Sequence, residues 1–167
     1  MPEGDYHRRI EGYVWRLLDG GPVIVPDGGT GSVRHVYGRD VVQAIHALLG
    51  DARTFGEAYN LGQEETPRLV DVLGTLRELV ASTAPFVSMP TQEIEAAGLE
   101  TVSVSPFSTR WMSFLDPGRA RRELGFAHTP LESYLSSIVA SLLAHWPAAP
   151  PPAYDRRAEE RRLATVG

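Results

Sequence analysis

Two short runs concentrate the side chains that could meet a ligand. Arg34-His35-Val36-Tyr37 joins a guanidinium, an imidazole and a phenol within four residues, and Arg110-Trp111 sets a guanidinium beside an indole. An arginine's planar fork pairs with phosphate or carboxylate and stays charged at every working pH. A tryptophan face stacks on a ring. Asp5, His7, His35 and Tyr37 are the acid or base candidates for a cofactor-free isomerase or cyclase.

Other chemistry is excluded by residue type. The chain has no cysteine, which removes disulfides, thiolate nucleophiles and Cys-type zinc sites. It has no lysine either, since all 16 of its basic residues are arginine. That removes a P-loop and a Schiff-base mechanism. His7, His35, His46, His128 and His145 fall on separate elements without metal-ligand spacing, so no metal site is expected. Gly29-Thr30-Gly31 lacks the third glycine of a dinucleotide fingerprint and reads as a hairpin turn. A net charge of −5 argues against nucleic acid, and no apolar run is long enough for a membrane span. The N-terminus has no signal-peptide core, so a cytoplasmic protein is expected.

These residues must be positioned by the elements around them. Asp5–Asp19 reads as a helix with Tyr6, Ile10, Tyr13, Val14, Leu17 and Leu18 on one stripe and His7, Arg8, Arg9, Glu11 and Arg16 off it. Pro22–Pro26 and Ser32–Tyr37 read as strands flanking the glycine turn. Gly38–Leu49 has helical spacing, with Val41, Val42, Ile45, Leu48 and Leu49 on one face. Ala58–Leu61 reads as a further strand. Thr66-Pro67 opens a helix to about Ala81, with Leu69, Val70, Val72, Leu73, Leu76, Leu79 and Val80 on a wide apolar face. Phe86–Met89 reads as a strand, Thr91–Ala97 as a short helix, and Thr101–Ser113 as strand or extended loop. Asp116-Pro117 and Thr129-Pro130 open two more helices, the second with a capping box to Glu132 and running to about Trp146 on a stripe of Leu131, Tyr134, Leu135, Ile138, Val139, Leu142 and Leu143. Residues 147–167 read as a proline-rich linker and a charged tail, with Asp155–Leu163 either a loose helix or a disordered, solvated segment, apart from a lobe spanning 1–146.

The order of these elements, with RHVYGRDVV, EAYNLG and LDPGRARRELGF in place, resembles the C-terminal half of an extended short-chain dehydrogenase/reductase of the NAD-dependent epimerase/dehydratase family. The resemblance runs from about Pro2 to Trp146. It implies an α/β (α+β-like) substrate-binding lobe, several helices with short strands and no complete Rossmann sheet. It implies that an arginine in the region of Arg34 contacts the pyrophosphate of a nucleotide sugar, with His35 and Tyr37 beside it. The alternative for Arg34 is a surface residue paired with an acid such as Asp40. The family presents the end of the first strand, here Val25 and Pro26, to the nucleobase. It carries a second phosphate-binding arginine in an Arg-Pro-Gly-Asp context near Arg110 and Trp111, where this chain reads SPFSTRWMSFLD.

The family's Tyr-x-x-x-Lys pair is ruled out by the missing lysine. No catalytic residue and no bound cofactor are therefore expected of this chain alone, although NAD(P) is implied for the complete enzyme. The partners expected are a small-molecule substrate, a Rossmann-lobe chain and a second copy of this chain. Met1 reads as a start set at a domain boundary, by cloning or by gene fission. The alternatives are a stand-alone binding or scaffolding module, or the cofactor-free isomerase.

Overall fold

The computed structural model describes residues 7–109 and 114–166. Two parallel strands, β1 (Val23–Pro26) and β2 (Phe86–Met89), pair in register from Val23↔Phe86 to Pro26↔Met89. Among the described residues these form the whole sheet, so there is no complete Rossmann sheet. Around them lie helices α1 (Arg9–Leu18), α2 (Gly38–Leu48), α3 (Leu69–Leu79), α4 (Thr91–Ala96), α5 (Thr101–Val104), α6 (Gly118–Leu124), α7 (Leu131–Ala144) and α8 (Arg157–Val166).

The main core follows the helical stripes read from the sequence. Ile10, Tyr13, Val14 and Leu17 of α1 meet Leu69, Val72, Leu73 and Leu76 of α3, Leu135, Val139 and Leu142 of α7, and Val23 and Val25 of β1. A second cluster joins Ile24, Met89, Ile94, Leu99 and Val104 to Ala164 of α8. A third sets Ala44 of α2 on Ala120 and Phe126.

Several local expectations are corrected. Ser32–Tyr37 is not a strand: only Ser32 forms a bridge, antiparallel to Arg68, and the rest is loop. The glycine turn is not a hairpin. Asp27–Gly29 is a 3-10 turn, after which the chain leaves β1 and pairs with the entry to α3, Val33 N–H to Pro67 C=O and Leu69 N–H to Gly31 C=O, both at 2.8 Å. Ala58–Leu61 lies in loop, with no strand beside it among the described residues. Thr101–Ser113 begins as helix α5, not as strand or extended loop.

The proline starts place their helices slightly later than read. Thr129 does not close a capping box with Glu132. Its N–H and hydroxyl both donate at 2.7 Å to the buried carboxylate of Asp40, fastening α7 to α2. The start of α3 is boxed by Arg68 and Asp71 rather than by Thr66.

Of its two readings, the charged tail takes the helical one. It is helix α8, docked on the body of the lobe. Arg16, read as off the buried stripe, is fully buried and donates to Glu160 at 2.5 and 2.9 Å. Arg157 bridges Glu160 to Asp19, which also accepts from the Tyr154 hydroxyl. Such charges are tolerated inside only because each has an opposite partner and further hydrogen bonds. Arg16 has these from the carbonyls of Gly12, Ser103 and Ala153.

Candidate functional site

Phe107 stands between two concavities. Its place is set by α1: Tyr13, fully buried, stacks on the Phe107 ring at 5.8 Å and accepts the Phe107 N–H at 3.0 Å. The Tyr13 hydroxyl also bonds Ser105 Oγ at 2.7 Å. Burial pushes its ionisation up to about 12, so it is a neutral strut and not a base.

The larger concavity is a groove of about 1,180 Å³ at the carboxyl ends of β1 and β2. Pro26 at the end of β1, Asp27 after it, the loop 30–32, the segments 90–92 and 98–102, and Phe107–Thr109 line it, with Glu95 and Leu69. Its rim is tied by Asp27, whose carboxylate accepts the Thr91 N–H at 3.0 Å and hydroxyl at 2.6 Å. Those bonds hold the Asp27 carboxyl below its ordinary range.

The smaller is a pocket of about 330 Å³ between α1, α2, α3 and α7. Tyr37 and Tyr134 stack at 5.3 Å, and His35 meets Tyr134 edge-on at 5.1 Å. The Tyr134 hydroxyl lies 2.5 and 2.7 Å from the two ring nitrogens of His35. Burial lowers the His35 pKa to about 4, helped by Arg9, while the Gln63 amide favours the charged form and opposes the shift. His35 is thus neutral at physiological pH. Arg9 lies with its guanidinium 5.0 Å over the Phe107 ring, and Arg39 also lines the pocket.

The sequence-read residues are therefore divided. Pro26 lines the groove, His35 and Tyr37 line the pocket, and Arg34 is exposed on a separate small cleft with His35 and Gln63. Val25 is buried in the core against Gly29. Arg110 and Trp111 lie outside the described residues. Sequence reasoning missed Phe107 and Arg9, and it took Tyr134 for a core residue of the α7 stripe. The spacing of Tyr134 on that stripe is the one signal that placed it inward.

The glycine turn does not fit a dinucleotide. Gly29 has φ +67°, and a Cβ there would stand 2.7 Å from Val25 Cγ1 and 2.9 Å from the Val70 nitrogen. The missing side chain makes room for the protein's own α3, not for a pyrophosphate, and the turn opens no α-helix. Among the described residues no group of three or more His, Asp or Glu could hold a metal ion, and no helix is long and apolar enough to cross a membrane.

No family model matches the chain. Among curated proteins it is similar to the dTDP-glucose 4,6-dehydratase of Salmonella typhimurium, 27% identical over 138 residues that cover 81% of this chain and 36% of the relative. Among solved structures it is similar to the epimerase Mth375 of Methanothermobacter thermautotrophicus, with TM-score 0.66, 18% identity, and 87% and 39% of the two chains covered. The Bacillus cereus UDP-glucuronic acid 4-epimerase, in complex with UDP-glucuronic acid and NAD, gives TM-score 0.60, 19% identity, and 87% and 41%. The chain has the fold of the C-terminal half of an extended short-chain dehydrogenase/reductase. This lobe spans about two fifths of the length of those relatives.

Proposed function

We propose that the lobe is the substrate-recognition part of an NAD(P)-dependent epimerase or dehydratase-like protein, taking a nucleotide-sugar-like anion in the groove. The observation that carries the reading is the groove's position: it opens at the carboxyl ends of the two parallel strands, where open α/β sheets hold their ligands. Its volume, about 1,180 Å³, leaves room for a base, a diphosphate and a sugar.

Pro26, closing β1, would meet the ring of the base. Asp27 beside segment 30–32, and Glu95 and Glu100, make those parts of the lining acidic, whereas segment 107–109 carries no acid. The diphosphate belongs with segment 107–109, and Arg110 follows it directly in sequence. Hydride chemistry would then come from a nicotinamide held by a cofactor-binding lobe acting with this one, since the described residues form no cradle for the dinucleotide and the sequence has no lysine. The present residues bind and orient, which by itself accounts for a large share of catalysis in two-substrate sites.

Titration calorimetry of the purified chain with UDP-glucuronic acid and dTDP-glucose tests this. Saturable binding is expected, weakened about tenfold or more in Arg110→Ala, in keeping with the loss of a charge-assisted hydrogen bond. Absence of binding to both nucleotide sugars would overturn the assignment.

A further inference from the structure

One wall of the groove is carried by the C-terminal segment of the chain. The stretch 98–102, running from the end of α4 into α5, lines the groove. Its Leu99, with Val104 just beyond, is buried in the cluster that Leu163 and Ala164 of α8 complete against Ile24 and Met89 of the sheet. Two guanidiniums clamp its backbone, one at each end. Arg156, in the turn before α8, donates to the Gly98 carbonyl, and Arg16 donates to the Ser103 carbonyl at 2.9 Å. Arg16 is fully buried, and the same guanidinium holds Glu160 of α8 and, at 2.7 Å, the Ala153 carbonyl. One buried cation therefore joins α1, the groove wall and the C-terminal segment, with Glu160 as its counter-charge. Charge-assisted bonds of this kind are stronger than neutral ones, and a buried one is costly to leave unmade. Beyond Ser103 the chain reaches Ser105, fixed on Tyr13, and then the groove residues 107–109.

We propose that the C-terminal segment, through Arg156 and the Arg16–Glu160 pair, positions the groove for its ligand: docking of α8 sets the wall at 98–102, and a ligand in the groove in turn holds α8 down. The proposal rests on the reading of the groove as a nucleotide-sugar site. Arg156 and Glu160 act on the wall's backbone and on its clamp, so both are positioning residues. The coupling runs both ways by linkage, since affinity lost when α8 loosens equals docking gained when the groove fills.

Four variants of the full chain test this, compared where circular dichroism shows each of them folded. Arg156→Gln, at an exposed position, removes the clamp on Gly98. Arg156→Lys keeps a charged donor there. Leu163→Ala trims the face of α8 that meets the wall. Val139→Ala is the control, since it destabilises the main core and lies in neither the wall nor α8. Without any ligand, the amides of Leu99, Ser103, Val104 and Ser105 should exchange with deuterium about fivefold faster in Arg156→Gln and Leu163→Ala. They should exchange at the wild-type rate in Val139→Ala and close to it in Arg156→Lys. In calorimetry with UDP-glucuronic acid, Arg156→Gln and Leu163→Ala should bind about threefold more weakly or worse. Val139→Ala should bind as the wild type does, although it melts lower, and Arg156→Lys should recover most of the affinity. Unchanged wall exchange in both Arg156→Gln and Leu163→Ala would overturn the proposal, and so would unchanged affinity in both. A wild-type chain that binds no UDP-glucuronic acid but shows the expected exchange pattern would count against the nucleotide sugar and for the positioning of the wall.

Discussion

A neutral histidine held in an apolar pocket carries a cost that pH reveals. His35 titrates near 4 in the fold and near 6.5 when the chain is unfolded. Between those values the unfolded chain takes up a proton that the folded chain refuses. Stability therefore falls as pH drops from 6.5 to 4, by about 3 kcal/mol in all for this residue. In His35→Gln that share of the slope should vanish, which urea unfolding at pH 4, 5, 6 and 7 measures; parallel curves for the two proteins would refute the burial account. Asp19 acts in the same sense, over a lower window. Burial alone would raise it, but hydrogen bonds from Arg157, Tyr154 and the Gly21 N–H outweigh that and bring it to about 2. Its contribution is complete above pH 3.8 and is lost as pH falls through 2. The Arg16–Glu160 pair should be the most sensitive point of the polar interior. Glu160→Gln leaves two buried guanidiniums facing one amide, and a loss of about 3–5 kcal/mol is expected in chemical denaturation. Nothing local in the sequence marks Arg16 for burial, because its partner lies 144 residues further on.

Helices were legible in the sequence and strands were legible only in part, for a reason of hydrogen bonding. A helix satisfies its own backbone, so periodicity and a start signal suffice: α1, α2, α3 and α7 lie where the apolar spacing put them, and α6 follows its Asp116-Pro117 start. A strand needs a neighbour. Pro22–Pro26 and Phe86–Met89 have each other and are strands, whereas Ser32–Tyr37, beyond the single Ser32–Arg68 bridge, and Ala58–Leu61 find no ladder among the described residues, and they are loops. The candidate site shows the same division. His35 and Tyr37 were visible as chemistry-bearing types, but Phe107 and Tyr134 reach them only through the packing of α1 on α3 and α7. The turn after β1 offers a test at this scale. Gly20 and Gly29 have nearly equal positive φ, +69° and +67°, but a Cβ meets nothing within 4 Å at Gly20 and meets Val25 and the Val70 backbone at Gly29. Gly20→Ala should cost about 1–2 kcal/mol from the left-handed backbone alone. Gly29→Ala adds overpacking of about 1–3 kcal/mol to that strain. Equal melting temperatures for the two variants would contradict the close approach of α3 to the turn.

At the scale of the whole molecule, the lobe leaves apolar surface uncovered. Helix α2 buries only Asp40 and Ala44, while Val42, Ile45 and Leu49 are 54%, 48% and 70% exposed, and Phe55 just beyond is 73% exposed. The loop at 57–61 alternates like a strand, with Tyr59 and Leu61 turned toward Ala44, Ala120 and Phe126. A stripe of this kind favours association. Covering four such side chains on each of two copies returns about 10 kcal/mol at roughly 2 kcal/mol per fully buried residue. Association itself costs about 4–15 kcal/mol in lost freedom. The two nearly cancel, so the self-association expected is weak and depends on concentration. Light scattering should give a monomer in dilute solution and a dimer or larger species at high concentration. Ile45→Glu with Leu49→Glu should return the concentrated sample to a monomer while changing stability by less than about 0.5 kcal/mol, as surface substitutions do. A cofactor-binding lobe that covers the same stripe would produce the monomeric state without any substitution. A concentrated wild-type sample that scatters as a clean monomer by itself would show that α2 carries too little apolar surface to recruit any partner.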